Sequence, residues 1–336
     1  MKKILMFLVL FFAQICTFAQ ESIVLKDLLG NDIKLNGEAK SIAALWHANN
    51  QIILMLGGMD KVVLTTDPIK KNVWFNLVYP NLKNIPSAFN NNDIQIEEVI
   101  KLNPDITIVS NKNYLEQLKK QGIKAAYLSF TNYDEMRDSI LLTANLVGGD
   151  ALKRAKIFDE YINEKISFVK SKTDKLRKRP KVLHVANGSN FLKVDGANTI
   201  IDEWIKIAGG ENVIKKSGNM IEITSEEILA DDPDIVIIGD KNGQKSVEEF
   251  YKDQRFSGLK AVKNKQVYAN PNGIFSWDRY GAEGALQILW AAKTIHPEIF
   301  GDINLLDEAK KFYKKFFDFD LSDEQFELII KGLDPK

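Results

Sequence analysis

A pattern of paired glutamates, a Pro-Asp pair and a β-branched run occurs twice in the chain, at residues 96–109 and 225–238. In each copy we predict a short helix that ends before Pro-Asp, because proline disfavours helical backbone at the residue before it. The apolar run that follows is typical of a strand buried on both faces of a parallel sheet. The copies lie 129 residues apart (Asp234 minus Asp105). This offset is too long for a solenoid repeat, so it predicts two similar α/β lobes with a ligand cleft between them.

A long segment without glycine or proline lies between the two copies, at residues 150–178. Its apolar residues recur at roughly helical spacing, as in Ile157, Tyr161 and Ile162. We predict a rigid helix at 150–179 that joins an N-terminal α/β lobe, residues 20–149, to a C-terminal α/β lobe, residues 180–336. Because helices resist bending, such a connection favours a small closing motion of the lobes.

The N-terminus has the pattern of a secretory signal peptide. Lys2 and Lys3 precede an apolar run at residues 4–15, and small residues follow at the cleavage position. We predict a signal peptide at residues 1–19 that is cleaved after Ala19. Lipid attachment at Cys16 is the alternative, but bacterial lipidation needs a small residue before the cysteine, and Ile15 is not small. Cleavage after Ala19 leaves no cysteine, and therefore no disulfide framework or thiolate site.

The formal net charge is zero, and we find no basic arm or stripe of the kind that a nucleic-acid-binding protein needs. The sequence also lacks the Gly-x-Ser-x-Gly, Walker, Gly-x-Gly-x-x-Gly and His-Glu-x-x-His motifs. No residue pattern indicates a nucleophile with its base. We therefore expect a binding protein without catalytic residues, and an exported hydrolase is the weaker alternative.

Two clusters of side chains are predicted to contact a ligand. Trp46, His47 and Asn49 follow the predicted strand at residues 41–45, and doubly wound sheets bind ligands beyond the carboxyl ends of their strands. His47 is a plausible ligand contact for that reason. Trp46 could stack on the ligand, or it could be an ordinary core residue.

The second cluster is Trp277, Arg279 and Tyr280, in a loop before a predicted helix. The chain has 39 lysines but six arginines, and a guanidinium binds planar anionic oxygens with two parallel hydrogen bonds. The alternative for Arg279 is a salt bridge to Asp278 or Glu283. Trp277 could stack on the ligand or lie in the core, and Tyr280 could contact a chelated metal or lie at the rim.

The two Glu-Glu…Pro-Asp units, the single bridging helix and the loop Trp277-Asp278-Arg279…Glu283 resemble the class III periplasmic substrate-binding proteins of ABC importers for ferric siderophores, haem or cobalamin. The resemblance covers essentially the whole mature chain. It implies an α/β fold with two Rossmann-like lobes and mainly parallel sheets, joined by one long rigid helix, with the ligand cleft between the lobes. It also implies a periplasmic location.

The resemblance further implies partners: the permease and ATPase of an importer in the inner membrane, on which Glu97 and Glu226 would dock. The alternative for these two glutamates is local, since acids at a helix N-terminus are favoured by the helix dipole. Glu227 is better explained locally, because Thr224 and Glu227 have the spacing of a capping box.

The three histidines, His47, His184 and His296, show no metal-site spacing, and we find no acidic cluster on a helix. We predict no resident metal site and no intrinsic cofactor. The expected ligand is a metal that is already chelated, with Fe(III) in a siderophore as the first choice and cobalamin, haem or a nickel chelate as alternatives. We expect the protein to be a monomer.

Overall fold

The computed structural model describes residues 22–90 and 93–335. The predicted signal peptide, its cleavage after Ala19 and Cys16 therefore lie outside the described residues. Within the described ranges, no helix is both long and apolar enough to cross a bilayer.

The N-terminal lobe is built from short strands and helices that alternate along the chain. Its strands are β1 Ser22–Lys26, β2 Asp32–Asn36, β3 Ile42–Ala44, β4 Val62–Leu64, β5 Phe89–Asn90, β6 Asp93–Ile94, β7 Ile106–Val109 and β8 Ala125–Tyr127. Its helices are α1 His47–Met55, α2 Asp67–Lys70, α3 Val73–Val78, α4 Ile96–Leu102, α5 Lys112–Lys120 and α6 Tyr133–Val147, with 3-10 turns at Met59–Lys61 and Pro80–Asn84.

The sheet of this lobe is entirely parallel, in the order β4-β3-β7-β8. All four residues of β7 are buried, as expected of a central strand that is covered by helices on both faces. Two separate antiparallel pairs, β1 with β2 and β5 with β6, lie outside this sheet. The N-terminal lobe is therefore a small doubly wound unit whose strands all end at the same edge.

The bridging helix α7 runs over Ala151–Thr173, so it is shorter at its C-terminus than the predicted 150–179. Beyond its end, Arg179 folds back and donates from Nη2 to the carbonyl of Thr173 at 3.3 Å. Its Nη1 donates to the carbonyl of Lys206 at 2.9 Å. A cationic donor at a helix C-terminus pairs with carbonyls that lack a partner within the helix. Helix α7 packs against α6 of the N-terminal lobe and against later helices of the C-terminal lobe.

The C-terminal lobe repeats this arrangement and adds helices at its end. Its strands are β9 Lys181–Val185, β10 Lys193–Val194, β11 Glu211–Asn212, β12 Ile221–Glu222, β13 Ile235–Ile238 and β14 Val267–Ala269. Its helices are α8 Ile200–Ile207, α9 Ser225–Asp231, α10 Gly243–Lys252, α11 Lys260–Lys263, α12 Gly284–Ile295, α13 Pro297–Phe300, α14 Leu305–Phe317 and α15 Asp323–Ile330, with a 3-10 turn at Gln254–Phe256.

Four strands of the C-terminal sheet match the N-terminal sheet one for one. The parallel order β11-β9-β13-β14 corresponds to β4-β3-β7-β8, and antiparallel β10 and β12 extend the edge beside β9. The two sheets are separate. This confirms the predicted fold class, an α/β protein with mainly parallel sheets in two similar lobes.

The repeated Pro-Asp pair has the same structural role in both lobes. Asn103 and Asp232 end α4 and α9 in the left-handed conformation, with φ of 43° and 44°. Two residues later, Asp105 accepts hydrogen bonds from the backbone N–H groups of Lys40 and Ser41, just before β3. Asp234 accepts the equivalent bond from Lys181, at the start of β9. The aspartate therefore joins each central strand to its neighbour at the amino edge of the sheet.

Candidate functional site

A cavity of about 650 Å³ opens at the carboxyl edge of the N-terminal sheet. The residues that line it follow β3, β4 and β7, as expected for a doubly wound sheet. They include Trp46, His47, Thr66, Lys71, Ser110 and Tyr114. All of its lining residues belong to the N-terminal lobe, and neither Arg279 nor Tyr280 lines it.

His47 and Trp46 line this cavity, and their contact with a ligand stays a prediction. Trp46 has extended backbone and precedes the first turn of α1, so the chain changes from strand to helix at this point. The imidazole Nδ1 of His47 lies 3.3 Å from the hydroxyl oxygen of Thr66. The ring is exposed towards the cavity, but the surrounding protein atoms desolvate it and lower the pKa of His47 below its ordinary value. A neutral imidazole therefore faces the cavity at neutral pH.

Three aromatic rings join the two lobes beside the cavity. The ring of Trp46 lies 5.1 Å from that of Phe130 and 6.1 Å from that of Tyr280, and Phe130 lies 5.5 Å from Tyr280. The Trp46–Phe130 and Phe130–Tyr280 pairs have edge-to-face geometry, which aromatic rings prefer to face-to-face stacking. Trp46 and Tyr280, predicted from opposite ends of the chain, thus come together. Phe130 was missed because it follows β8 without a distinctive motif.

Arg279 lies in the C-terminal lobe beside Tyr280 and makes a bidentate pair with Asp195. Its Nη1 donates to Oδ1 of Asp195 at 3.0 Å, and Nη2 lies 2.9 Å from Oδ2. Burial alone would lower the pKa of Arg279, but Asp278 and Asp195 outweigh it and raise the pKa. The salt-bridge alternative therefore describes Arg279, but with Asp195 as its main partner and Asp278 further away at 3.6 Å. Glu283 is not its partner.

His184 completes this buried network from the middle of β9. Its Nδ1 lies 2.8 Å from Oδ2 of Asp195, and its Nε2 lies 3.0 Å from Oδ2 of Asp278. Burial alone would lower the pKa of His184, but hydrogen bonds to Asp195 and Asp278 outweigh it and raise the pKa. Burial alone would likewise raise the pKa of Asp195, yet Arg279 and His184 hold it well below its ordinary value. The carboxylates of Asp195 and Asp278 thus both lie against His184 and Arg279 inside the lobe.

The network also fixes a loop of the C-terminal lobe. Oδ1 of Asp195 accepts a second bond, from the backbone N–H of Met220 at 2.9 Å. Met220 has a positive φ of 52°, which is unusual for a residue with a long side chain, and its side chain is exposed. Arg279 and Asp195 are thus positioning residues that hold the segment around Met220 in a strained conformation.

Two predicted ligand contacts, Trp277 and Asn49, lie in the core instead of in the cavity. Trp277 is fully buried and donates from its indole N–H to Glu283 at 3.2 Å. Asn49 is also fully buried and donates to the hydroxyl of Thr143 on α6 at 3.0 Å. Because α1 begins at His47, Asn49 is turned about 200° around the helix axis, away from the face that His47 presents. The structure therefore does not bring these two side chains to the cavity.

Glu283 binds the C-terminal loop to the N-terminal lobe. This buried carboxylate accepts bonds from the backbone N–H groups of Ile274 at 3.1 Å and Phe275 at 2.6 Å, and from the side chain of Gln51 at 2.6 Å. The hydroxyl of Tyr313 also donates to it. Burial raises the pKa of Glu283 to about 7, although these donors oppose the rise. Gln51 in turn accepts from the backbone N–H of Ala282 at 2.6 Å, so one amide spans the interface.

The two glutamates predicted to dock, Glu97 and Glu226, occupy the first turns of α4 and α9, and both are exposed. The predicted capping box of Thr224 and Glu227 is present, with both hydrogen bonds formed. Glu227 is therefore used locally, whereas Glu97 and Glu226 point away from the cores of their lobes.

Comparisons with known proteins agree with this architecture. Residues 42–272 match the family model described as periplasmic binding protein. A solved periplasmic solute binding protein from Veillonella parvula is 29% identical with a TM-score of 0.78, over 93% of this chain and 99% of that one. The molybdate periplasmic binding protein MolA of a Haemophilus influenzae ABC transporter, solved with molybdate, is 18% identical with a TM-score of 0.79, over 89% and 99%. The high-affinity heme uptake system protein IsdE of Staphylococcus aureus is 28% identical over 55% of this chain and 66% of the relative.

Proposed function

The chain belongs to the family of periplasmic binding proteins, and from that premise we propose that it captures a metal chelate, a ferric siderophore first of all, for an ABC importer. Delivery is to the permease and ATPase in the inner membrane. The protein is exported, with its signal peptide cleaved after Ala19, and acts in the periplasm as a monomer. It binds its ligand without altering it, and Fe(III) enters as part of the ligand and not as a resident cofactor.

The observation that carries the proposal is the size and lining of the cavity at the carboxyl edge of the N-terminal sheet. A volume of about 650 Å³ is within the range of sites for drug-sized ligands and would leave a small oxyanion poorly enclosed. Tyr114 offers aromatic surface, Trp46 forms part of the wall although only 8% of it is exposed, and Lys71 offers a cation for an anionic chelate. The guanidinium of Arg279, a natural ligand for a free oxyanion, is instead bound to Asp195.

Haem or another chelate with an open coordination position is the second candidate. The lowered pKa of His47 favours this ligand, because a neutral imidazole has a lone pair that can bind a metal. The similarity to a haem uptake protein supports the same candidate. A chelate whose metal is already fully coordinated would use His47 as a hydrogen-bonding group only.

The test is a binding panel on the purified chain from residue 20. Tryptophan fluorescence and native mass spectrometry would be measured with a ferric tris-catecholate, a ferric hydroxamate, haem, cobalamin, nickel–histidine and molybdate. We expect a 1:1 complex with one of the metal chelates at micromolar Kd or below, and recovery of that chelate unchanged. Binding of molybdate alone, or turnover of an ester or glycoside, would refute the proposal. A Glu97→Ala variant should bind the same chelate with unchanged affinity.

A further inference from the structure

We propose that Met220 is the residue through which the C-terminal lobe contacts the bound chelate, with its thioether side chain packed against an apolar, ring-bearing face of that ligand. This inference rests on the proposed function and deepens it, because it names a contact from the lobe opposite the cavity. It also explains why a strained, exposed methionine occupies this position.

Met220 combines a strained backbone with an exposed apolar side chain. In the described chain, six residues other than glycine have a positive φ, and four of them are asparagine or aspartate. Those two residue types tolerate the left-handed region because their short polar side chains bond to the nearby backbone. Met220, with φ of 52°, is the one apolar residue of the six, and it is 50% exposed. Backbone strain of this kind occurs at ligand-binding sites, where the surrounding structure imposes it.

Buried ion pairs hold Met220 in this conformation. Its backbone N–H donates to Oδ1 of Asp195 at 2.9 Å, and Asp195 is fully buried. Arg279 and His184 both contact Oδ2 of that carboxylate, at 2.9 Å and 2.8 Å. Burying charged groups is costly even when they are paired, so such a network is an unusual support for a surface segment. The interior of the lobe therefore determines where the side chain of Met220 is presented.

Met220 lies on the side of the C-terminal lobe that faces the cavity. The side chain of its neighbour Asn219 hydrogen-bonds to the phenol of Tyr280. The ring of Tyr280 lies 6.1 Å from that of Trp46, which forms part of the cavity wall. One residue and two aromatic rings therefore connect the backbone of Met220 to the cavity.

The similarity of the two lobes also places Met220 in the counterpart of a cavity-lining segment. Strand β11 has the position in the C-terminal sheet that β4 has in the N-terminal sheet. The segment after β4, residues 65–72, contributes to the lining of the cavity, and the segment after β11 runs over residues 213–220. Asn72 donates to the carbonyl of Ile274, in the loop after β14, at 3.0 Å. The carboxyl ends of the two sheets therefore meet at this interface.

The chemistry of a thioether indicates the kind of contact. Methionine is flexible and polarisable, so it adapts to irregular surfaces and makes favourable contacts with aromatic rings at about 5 Å. Catecholate and porphyrin chelates have such ring surfaces. Met220 thus adds apolar burial to the imidazole of His47 and the cation of Lys71, which the N-terminal lobe presents in the cavity.

The experiment compares Met220→Gly with the matched control Lys265→Gly. Lys265 also has a positive φ, of 57°, but it is exposed at the opposite edge of the sheet, two residues before β14. Glycine adopts a positive φ without strain, so neither variant should lower the Tm. Affinity is measured by calorimetry with the ferric tris-catecholate, the ferric hydroxamate or haem, whichever binds in the panel. Met220→Gly should weaken binding about fivefold to tenfold, whereas Lys265→Gly should leave the affinity unchanged.

A conservative variant tests whether the contact is apolar packing. Met220→Leu keeps a similar apolar volume and should weaken binding no more than about twofold. Native affinity of Met220→Gly would overturn the proposal. A loss with Met220→Leu as large as the loss with Met220→Gly would also overturn it, because packing alone does not require the sulfur atom.

A spectroscopic measurement tests proximity directly, by NMR of the chain from residue 20 labelled with [methyl-13C]methionine. The other methionines of the described chain, Met55, Met59 and Met136, are buried, and Met220→Leu identifies the exposed methyl signal. Binding of the Fe(III) chelate should abolish the Met220 signal by paramagnetic relaxation, and its Ga(III) counterpart should not. Met55 and Met59 should keep their signals, because they lie at and beyond the far end of α1.

The outcomes separate this inference from the proposed function. A Met220 signal that survives in the Fe(III) complex would overturn the contact and leave the proposed function intact. Failure of every chelate in the panel to bind would refute the proposed function itself, and the contact with it.

Discussion

Replacing Arg279 by alanine tests whether this residue holds the C-terminal lobe together or contacts the ligand. The guanidinium is 12% exposed and its partner Asp195 is fully buried, so the substitution leaves a carboxylate in the interior without its bidentate partner. Loss of one member of a buried ion pair costs about 3–5 kcal/mol. His184 remains 2.8 Å from Asp195 and compensates in part. We therefore expect Arg279→Ala to lower the free energy of unfolding by about 3 kcal/mol.

The assay is urea unfolding at pH 7, followed by far-UV circular dichroism, with calorimetry for the melting temperature. A loss of about 3 kcal/mol corresponds to a decrease in Tm of roughly 4–5 °C for a chain of about 320 residues. Ligand affinity should also decrease, because Asp195, which still accepts from the backbone N–H of Met220, loses the guanidinium that holds it in place. That decrease is expected to follow the loss of structure and not the loss of a direct contact.

Arg255→Ala is the matched control. Arg255 lies only 2.6 Å from its partner Asp253, but its side chain is 48% exposed, so its removal should cost less than about 1 kcal/mol. If Arg279→Ala and Arg255→Ala destabilised the protein equally, the buried pair would not be what stabilises the C-terminal lobe. If Arg279→Ala abolished chelate binding at unchanged stability, Arg279 would be a ligand contact.

Four further results are expected. Gln51→Ala removes the amide that spans the lobes and leaves buried partners unpaired, so the free energy of unfolding should fall by about 2–3 kcal/mol in urea titrations; an unchanged midpoint would contradict this. The raised pKa of His184 means that the folded chain binds this proton more tightly than the unfolded chain does. The free energy of unfolding should therefore decrease as pH rises above about 6.5, and His184→Gln should lack this pH dependence. His47→Ala should weaken chelate binding at least tenfold in calorimetry with little change in Tm, and equal affinity would remove His47 from the site. Spin labels at Glu97 and Glu226 should report the same separation by electron paramagnetic resonance with and without the chelate, and a large change would disprove a small closing motion.

The two lobes could be predicted from the sequence because the feature that defines them is local. Pro-Asp followed by a β-branched run determines a helix end and a buried strand within a few residues, and the chain contains this signal twice. Helix α7 could also be predicted from a local pattern, and it starts at Ala151, within the predicted segment. Its end at Thr173, against which Arg179 folds back, is not indicated by a local pattern.

The site could be predicted only in part, because the direction of each side chain depends on distant contacts. Trp46 and His47 line the cavity because they follow the end of β3, and Tyr280 contacts the ring of Trp46, whereas the binding of a ligand by these residues stays a prediction. Asn49 follows the predicted strand as His47 does, but α1 begins at His47 and turns Asn49 towards Thr143. Asp195, the partner of Arg279, lies 84 residues away in a stretch without a motif, so the pairing could be found only in three dimensions.

A large closing motion would have to break several contacts between the lobes, so we expect a small one. Glu203 of the C-terminal lobe accepts from the backbone N–H of Tyr133 at 2.6 Å, and the indole of Trp74 donates to the carbonyl of Leu333 at 3.1 Å. The Gln51 amide and the rings of Trp46 and Tyr280 add two more links across the same interface. Helix α7 is also continuous from one lobe to the other, and sharp bends in helices need a proline, a bulge or an inserted group. We therefore expect ligand exchange to need only local movement at the cavity, while the spacing between the lobes changes little.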